Sequence, residues 1–469
     1  MHDSKGLREV ETLQIRRASL VPALEATAWL LAVAIGTLCV VLGQLSIRGA
    51  SLLCLFIVLG LIAASWRNFD GGRHPCFLFL GMLFVFQCGR LLGFITGFPE
   101  DPLAIQVQTP YPLSVSLHSQ GITLLLIALS AVCVYIPCRL SYRRALLSSG
   151  QEQKWLRPLY ILMAFTLPFA ALKNYLYLNY IQSHGGYMAV YTDNDPILKT
   201  AGTPVRAIAL IGSNVLLLLY LFERRRKYII MILILYLSIS SMELLIGFRG
   251  QFFVQIVILW YVNKLKTGEG FKPLPLLITA LAVSLISTFV AGTRVRQTAE
   301  LAGPIAFLEG QGISINVTEV AVQNRDLFVR KRTGYLVGNL KSMYSPSEDN
   351  LAADVSLYLN PSTYAEGYGT GSSYLAEAYV FGGGLCVTVT SLLIGIMLSW
   401  LHNLSNTWTG AVMLVESLAP TIYMPRGGLM DPLTGTIKEL LSIGIAFILA
   451  ALLQFVYLFL FRVVRSHER

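Results

Sequence analysis

Long apolar runs, separated by short polar connectors, dominate the chain from residue 24 onward. Most runs are about 17 to 25 residues long, the length a helix needs to cross roughly 30 Å of hydrocarbon at 1.5 Å per residue. Lipid offers no partner to backbone N–H and C=O groups, so such runs must be helices that satisfy those groups internally. The pattern predicts about twelve spans, near 24–45, 51–66, 76–97, 119–138, 158–180, 205–222, 228–246, 252–264, 273–292, 380–401, 407–424 and 439–461. The eighth is short enough to be tilted or to begin inside the preceding turn, "GFRGQ" at 247–251. The fold class expected is an all-α polytopic integral membrane protein, one membrane domain over 1–469, with connectors near 181–204 and 293–379 as its two large outer loops. The second loop exceeds the usual connection length several-fold, so it is expected to carry short helices of its own and function.

Charge fixes the orientation. Lys and Arg are retained on the cytoplasmic side of short connectors. With the amino terminus inside, the cytoplasmic stretches hold 21 of them, and the short outer connectors 6. Both termini are therefore expected in the cytoplasm. Composition agrees: 55% of the 469 residues are apolar and 13% charged, against about 25% charged in soluble proteins. The net charge of +10 is scattered over many connectors and does not form the single basic face that nucleic acid requires, so no nucleic acid is expected as a partner. The seven cysteines (Cys39, Cys54, Cys76, Cys88, Cys133, Cys138 and Cys386) lie inside or at the ends of apolar runs without CxxC or Cys/His spacing. They read as small core residues, with neither a disulfide framework nor a zinc site indicated. The polar amino terminus does not fit a cleaved signal peptide, and the first span is expected to stay as an anchor.

Arginines meet the outer boundary at the ends of several spans. Arg249 stands between glycines, which permit a sharp turn and close approach of another group, and the helix after it points free N–H groups and its positive dipole end at the same spot. Arg294 and Arg296 in "VAGTRVRQ" and Arg426 in "IYMPRGGLMDP" reach the same depth. A guanidinium binds phosphate oxygens in pairs and stays charged at any physiological pH, so the four together could surround one pyrophosphate. Taken singly, each is equally an arginine that snorkels to lipid headgroups.

Other polar positions add candidates. Arg90 in "FQCGRLLGF", Lys173 in "AALKNYLYLNY" and Glu243 in "SMELLIGF" are costly in oil unless paired or facing water. Lys173 is followed by Tyr175, Tyr177 and Tyr180, which suit sugar stacking and equally an interfacial aromatic belt. Lys173, Tyr187, Tyr191 and Gln311 join Arg294 and Arg296 as candidate substrate-binding residues, and Arg249, Glu377 and Arg426 are the candidate catalytic ones. Glu377, in "GTGSSYLAEAYVFGGG", or Glu309, in "FLEGQGISI", could take a proton from a sugar hydroxyl, given enough burial. Either is also a plain helix cap or loop carboxylate. Asp193 and Asp195 in "TDNDP" have a spacing that can hold a divalent cation, and equally that of an ordinary turn. No metal and no cofactor is expected; His118, His184 and His402 show no ligand spacing. Asn316-Val317-Thr318 matches a glycosylation sequon, which carries no meaning if the source is bacterial.

The chain resembles bacterial O-antigen polymerases of the Wzy type, with the enterobacterial common antigen polymerase as a neighbouring relative. The likeness covers nearly the whole length: a dozen spans, cytoplasmic ends and a large outer loop late in the chain. Locally, "LLIGFRGQFFVQIVI" is similar to the family's Gly-x-Arg turn before an apolar helix, "GTGSSYLAEAYVFGGGL" to its Glu-aromatic-Phe-Gly segment, "YMPRGGLMD" to its late Arg-Gly turn, and "FLEGQGISI" to its Gln-Gly-Ser-like loop. The Arg-x10-Gly repeats of some members are missing. The resemblance implies an enzyme of the bacterial inner membrane, active at the periplasmic face. It would join oligosaccharide units carried on undecaprenyl pyrophosphate, by inverting transfer and without a metal. It also implies membrane lipid, a Wzz-type chain-length regulator and a Wzx-type flippase as partners.

Three other functions use similar sequence features. A flippase or transporter for lipid-linked oligosaccharide would place its charges near the bilayer midplane, often on repeats, and most candidates here cluster at one face. A glycosyltransferase using a polyprenyl-monophosphate sugar would need a cation at Asp193 and Asp195. An O-antigen ligase shares the arginine logic of the polymerase.

Overall fold

A computed structural model describes residues 4–96, 116–143, 153–184, 202–246, 249–272, 304–341, 349–365 and 369–467, with isolated positions at 274–275, 278, 281–282 and 285. Every element in the described residues is helical. Nine helices among them are long and apolar enough to cross a membrane. Two more expected spans form helices below that threshold, Arg249–Thr267 of 19 residues and Trp408–Tyr423 of 16. The expected span at 273–292 lies almost wholly outside the described residues. The chain is thus an all-α polytopic membrane protein, and twelve is the sequence expectation for its span count.

The helices sort into two bundles, with α3 between them. In the first, α1 (Ser4–Val41), α2 (Ile47–Asn68) and α5 (Leu117–Ser141) surround α3 (Pro75–Leu83). In the second, α6 (Gln153–Ser183), α7 (Gly202–Phe222), α8 (Arg226–Ile246) and α9 (Arg249–Thr267) pack on the other flank of α3. Cys76, Phe79, Leu80 and Leu83 of α3 enter the first core, and Phe77, Leu78 and Met82 the second. A helix that is apolar all round has no solvent face to present, which is why α3 becomes the shared axis. A π-helical turn, Phe84–Cys88, joins α3 to α4 (Gly89–Ile95) and rotates Gln87 into the interior. Such one-turn widenings are common at functional positions.

The long connector folds as expected into short helices: α10 (Pro304–Gln311), α11 (Ser314–Gln323), α12 (Arg325–Phe328), α13 (Arg332–Lys341), α14 (Leu351–Leu359) and α15 (Pro361–Ala365). They build a third small core from Val317, Val320, Phe328, Tyr335, Leu351 and Val355, closed by Ala376 and Val380 of α16 (Tyr374–Leu404). Tyr335 donates to Asp354 at 2.6 Å, and burial first, then this hydrogen bond, pushes its phenol above the usual range. α16 breaks at Gly382 and Gly383; the latter has φ +65°, a conformation that only glycine adopts without strain. α17 (Trp408–Tyr423), a 3-10 turn Met424–Arg426 and α18 (Asp431–His467) complete the chain.

The connectors divide between two ends of the molecule. Tyr142 reaches Asp70, His402 reaches the carbonyl of Arg143, and Phe271 bonds to Gly71 at the end where the charge rule places the cytoplasm. The short helices, the start of α16 and the turn before α18 meet at the other.

Candidate functional site

Four segments converge at that second end: the π turn with α4, the α10–α11 corner, the start of α16 and the turn between α17 and α18. α4 and α10 touch backbone to backbone. A Cβ on Gly89 would overlap the Leu308 carbonyl, and one on Gly312 would stand 2.6 Å from the backbone nitrogen of Arg90. Arg90, buried at this contact, donates to the Glu309 carbonyl at 3.2 Å and to Asn316 Oδ1 at 2.7 Å. The asparagine of the sequon is thus 1% exposed and occupied by an arginine, which removes it as a surface attachment point. The corner is held so that Gln311 faces the α17–α18 turn.

There Arg426 donates from one guanidinium nitrogen to Gln311 Oε1 at 3.0 Å and to the Gln311 carbonyl at 3.3 Å. The guanidinium carbon lies 5.7 Å from the Phe86 ring centre, over its face. Among the described residues no carboxylate pairs with Arg426. Its orientation is fixed by neutral acceptors and an aromatic face, so its full charge remains available to an anion. A Cβ on Gly250 would stand 3.2 Å from the Tyr423 hydroxyl and 3.8 Å from Gln311 Oε1. The first turn of α9, the positive end of its helix dipole, therefore abuts the same pocket.

Five residues beyond Arg426, α18 begins at Asp431, whose carboxylate accepts the Gly428 N–H at 2.6 Å and tightens the turn. The turn delivers the Leu429 N–H to Glu377 Oε2 at 2.7 Å. Glu377 is 1% exposed and also accepts from Asn339 Nδ2 at 3.1 Å and Ser372 Oγ at 2.9 Å. Three donors, with no cation among the described residues, hold the carboxylate in one rotamer. Gln87 ties the halves of the site together: its amide donates to Ser373 Oγ at 3.0 Å and to the Pro425 carbonyl at 2.5 Å, while Thr318 donates to its oxygen at 3.4 Å.

The sequence candidates divide accordingly. Arg426, Gln311 and Glu377 come to the two faces of one turn, and Arg249 opens the helix whose first turn reaches it. The Arg249 side chain, and all of Arg294, Arg296, Tyr187, Tyr191, Asp193 and Asp195, lie outside the described residues. Lys173 pairs with Glu243 at 3.1 Å, and Gln255 of α9 donates to the other Glu243 oxygen at 2.7 Å. That network braces the helix Arg249 begins. Glu309 presents one buried carboxylate oxygen with no hydrogen-bond partner among the described residues. Gln87, Asn339 and Ser372 are site residues the sequence reading did not select. A polar amide inside an apolar run was a usable signal for Gln87; for Asn339 there was none.

No curated protein and no solved structure matches the chain. The family model described as O-antigen polysaccharide polymerase Wzy matches residues 26–462, which takes in both bundles, the short helices and every residue of the site. The chain belongs to the O-antigen polysaccharide polymerase Wzy family and is a multi-pass membrane glycosyltransferase that polymerises lipid-linked oligosaccharide repeat units.

Proposed function

We propose that the turn 424–431 is the catalytic centre, with Arg426 holding the departing pyrophosphate and Glu377 acting as general base. The carrier is undecaprenyl pyrophosphate, and the site faces the periplasm of the inner membrane, as the connector charges indicate. The acceptor hydroxyl of one lipid-linked unit attacks the anomeric carbon of the growing glycan on another. The new C–O bond forms as the bond to the pyrophosphate oxygen breaks, the hydroxyl proton passes to Glu377, and the lipid pyrophosphate leaves as an anion. Attack opposite the leaving group inverts the anomeric centre. Negative charge grows on the pyrophosphate during this step, and preorganised donors aimed at it lower the barrier without a metal. Arg249, Arg294 and Arg296 complete the cluster around the same phosphates. A Wzx-type flippase would supply the substrate and a Wzz-type regulator would set chain length.

The observation that carries this reading is the uncompensated guanidinium of Arg426, locked by Gln311 one short turn away from a buried, hydrogen-bonded carboxylate. The test is elongation of lipid-linked repeat units by purified protein, resolved by size, with and without EDTA. A ladder insensitive to the chelator is expected, lost in Arg426→Lys and Arg249→Lys while membrane insertion stays normal. A ladder that needs Mg2+ or Mn2+ points to the Asp193 and Asp195 chemistry, and normal elongation by both arginine variants removes the anion cluster from the mechanism.

A further inference from the structure

The helix α13, which supplies Asn339 to the site, carries apolar side chains on its outward face. At about 100° per residue, Tyr335, Gly338 and Asn339 share one face of it, and Leu336, Val337 and Leu340 the opposite one. The first face is turned inward: Tyr335 and Gly338 are buried, and Asn339 reaches Glu377 at 3.1 Å. On the other, Val337 and Leu340 are 48% and 39% exposed, with Leu336 half-buried beside them. Arg332 and Lys341 are exposed at the two ends of the helix and have no ion-pair partner among the described residues.

The place of α13 says what that face meets. The helix packs against α16 and α18. Its Asn339 bonds Glu377 in the first turn of α16, and Glu377 in turn accepts the N–H of Leu429, just before α18 begins at Asp431. α13 therefore lies level with the end at which two spans leave the bilayer. On α18 itself, Leu433, Leu441 and Ile445 are exposed along a span, where the surrounding medium is lipid. The stripe on α13 thus stands beside a surface already in hydrocarbon. Charge agrees: from 325 to 341 the chain has five basic residues and one acidic one. An apolar face with basic residues at its flanks is the pattern of a helix lying in a membrane interface, and the basic residues complement anionic headgroups.

We propose that α13 lies on the bilayer surface as an interfacial helix, with Leu336, Val337 and Leu340 at the edge of the acyl chains and Arg332 and Lys341 on the phosphates of anionic phospholipid. The helix is then a wall between lipid and the buried carboxylate. Its inner side holds Glu377 through Asn339, and its outer side meets headgroups about 10 Å away, one helix diameter. On the reading of Glu377 as general base, this contact ties the orientation of the base to the surface that carries the lipid-linked substrate. The lipid contact itself does not rest on that reading.

The experiment places an environment-sensitive NBD dye at Val337→Cys in the full-length protein, reconstituted in vesicles of phosphatidylcholine with or without phosphatidylglycerol. Wild type labelled in parallel supplies the background from the native cysteines, and an unchanged melting temperature shows that the variant folds. Blue-shifted emission is expected, quenched by lipids that carry a nitroxide high on the acyl chain. Quenching is expected to be at least about twofold stronger with phosphatidylglycerol, and Arg332→Gln/Lys341→Gln in the same labelled chain is expected to remove that preference. A dye that emits as in water and is not quenched overturns the proposal. So does a dye shielded from water but not quenched, which would mean that protein covers the face, and so does equal quenching in neutral and anionic vesicles. The readout does not depend on elongation, so failure here leaves the catalytic reading standing.

Discussion

The Leu429 N–H meets Glu377 Oε2 at 2.7 Å, three residues after the arginine whose guanidinium is held by Gln311. One short turn therefore positions both charged groups of the site, and any change in its path moves Glu377 and Arg426 together.

Glu377→Gln tests the base with little disturbance of shape. The amide oxygen can still accept from Leu429 and Asn339, and the Ser372 hydroxyl can rotate to accept from the amide nitrogen. Elongation is expected to fall by about 10²- to 10⁴-fold, with the melting temperature little changed. The same change at Glu309 is expected to leave most activity. A size-resolved elongation assay with a parallel thermal melt reads both; full activity in Glu377→Gln would transfer the base role elsewhere.

Gln311→Glu places a carboxylate where the neutral amide oxygen now touches Arg426. The new ion pair is expected to hold the protein at least as stable while cancelling the charge meant for pyrophosphate. Elongation should drop by about 10²-fold or more, and Gln311→Ala, which frees the guanidinium without neutralising it, should be milder. Equal losses in the two variants would mean that the charge of Arg426 is not what matters.

Gly89→Ala forces α4 away from the Leu308 carbonyl, because backbone on both sides leaves nothing flexible to yield. Gln311 lies one turn further along α10. The variant is expected to lose about 1–3 kcal/mol of stability together with most elongation. Gly81→Ala, whose Cβ would meet nothing within 4 Å, is the matched control and should behave as wild type.

Glu243→Gln leaves the Lys173 ammonium without its partner, at a position only 23% exposed. The cost expected is roughly 3 kcal/mol, and Lys173→Met in the same chain should recover much of it. Thermal melts of the two single variants and the double variant form the cycle. If Lys173→Met alone abolishes elongation without lowering the melting temperature, Lys173 touches substrate and the brace is not its role.

The spans were legible because hydrocarbon imposes one solution on the backbone, and α1 to α8 follow the apolar runs closely. The eighth span does begin inside the "GFRGQ" turn, at Arg249. The helix Trp408–Tyr423 is shorter than its apolar run suggested, since Pro425 and the two glycines after Arg426 end it and open the turn that carries the site. Arg426 and Gln311 stood out as polar groups beside glycine and Glu377 as a carboxylate between Gly-rich ends, but their mutual distances did not, because they depend on how the short helices pack. That Lys173 pairs with Glu243 of α8 was not legible either, because periodicity cannot show which residue of another helix lies opposite it.

The break at Gly382 and Gly383 sets how α16 enters the fold. An unbroken α16 would measure roughly 46 Å, half again the thickness of the oily layer, and would lift its first turns clear of the lipid. Interrupted there, the remainder is about 31 Å long and fits the layer, while the first two turns stay buried among the helices, the Tyr374 ring against Phe79 and its hydroxyl on Ser130 of α5. In the proposed reaction Glu377 would meet the lipid pyrophosphate from inside the helical packing.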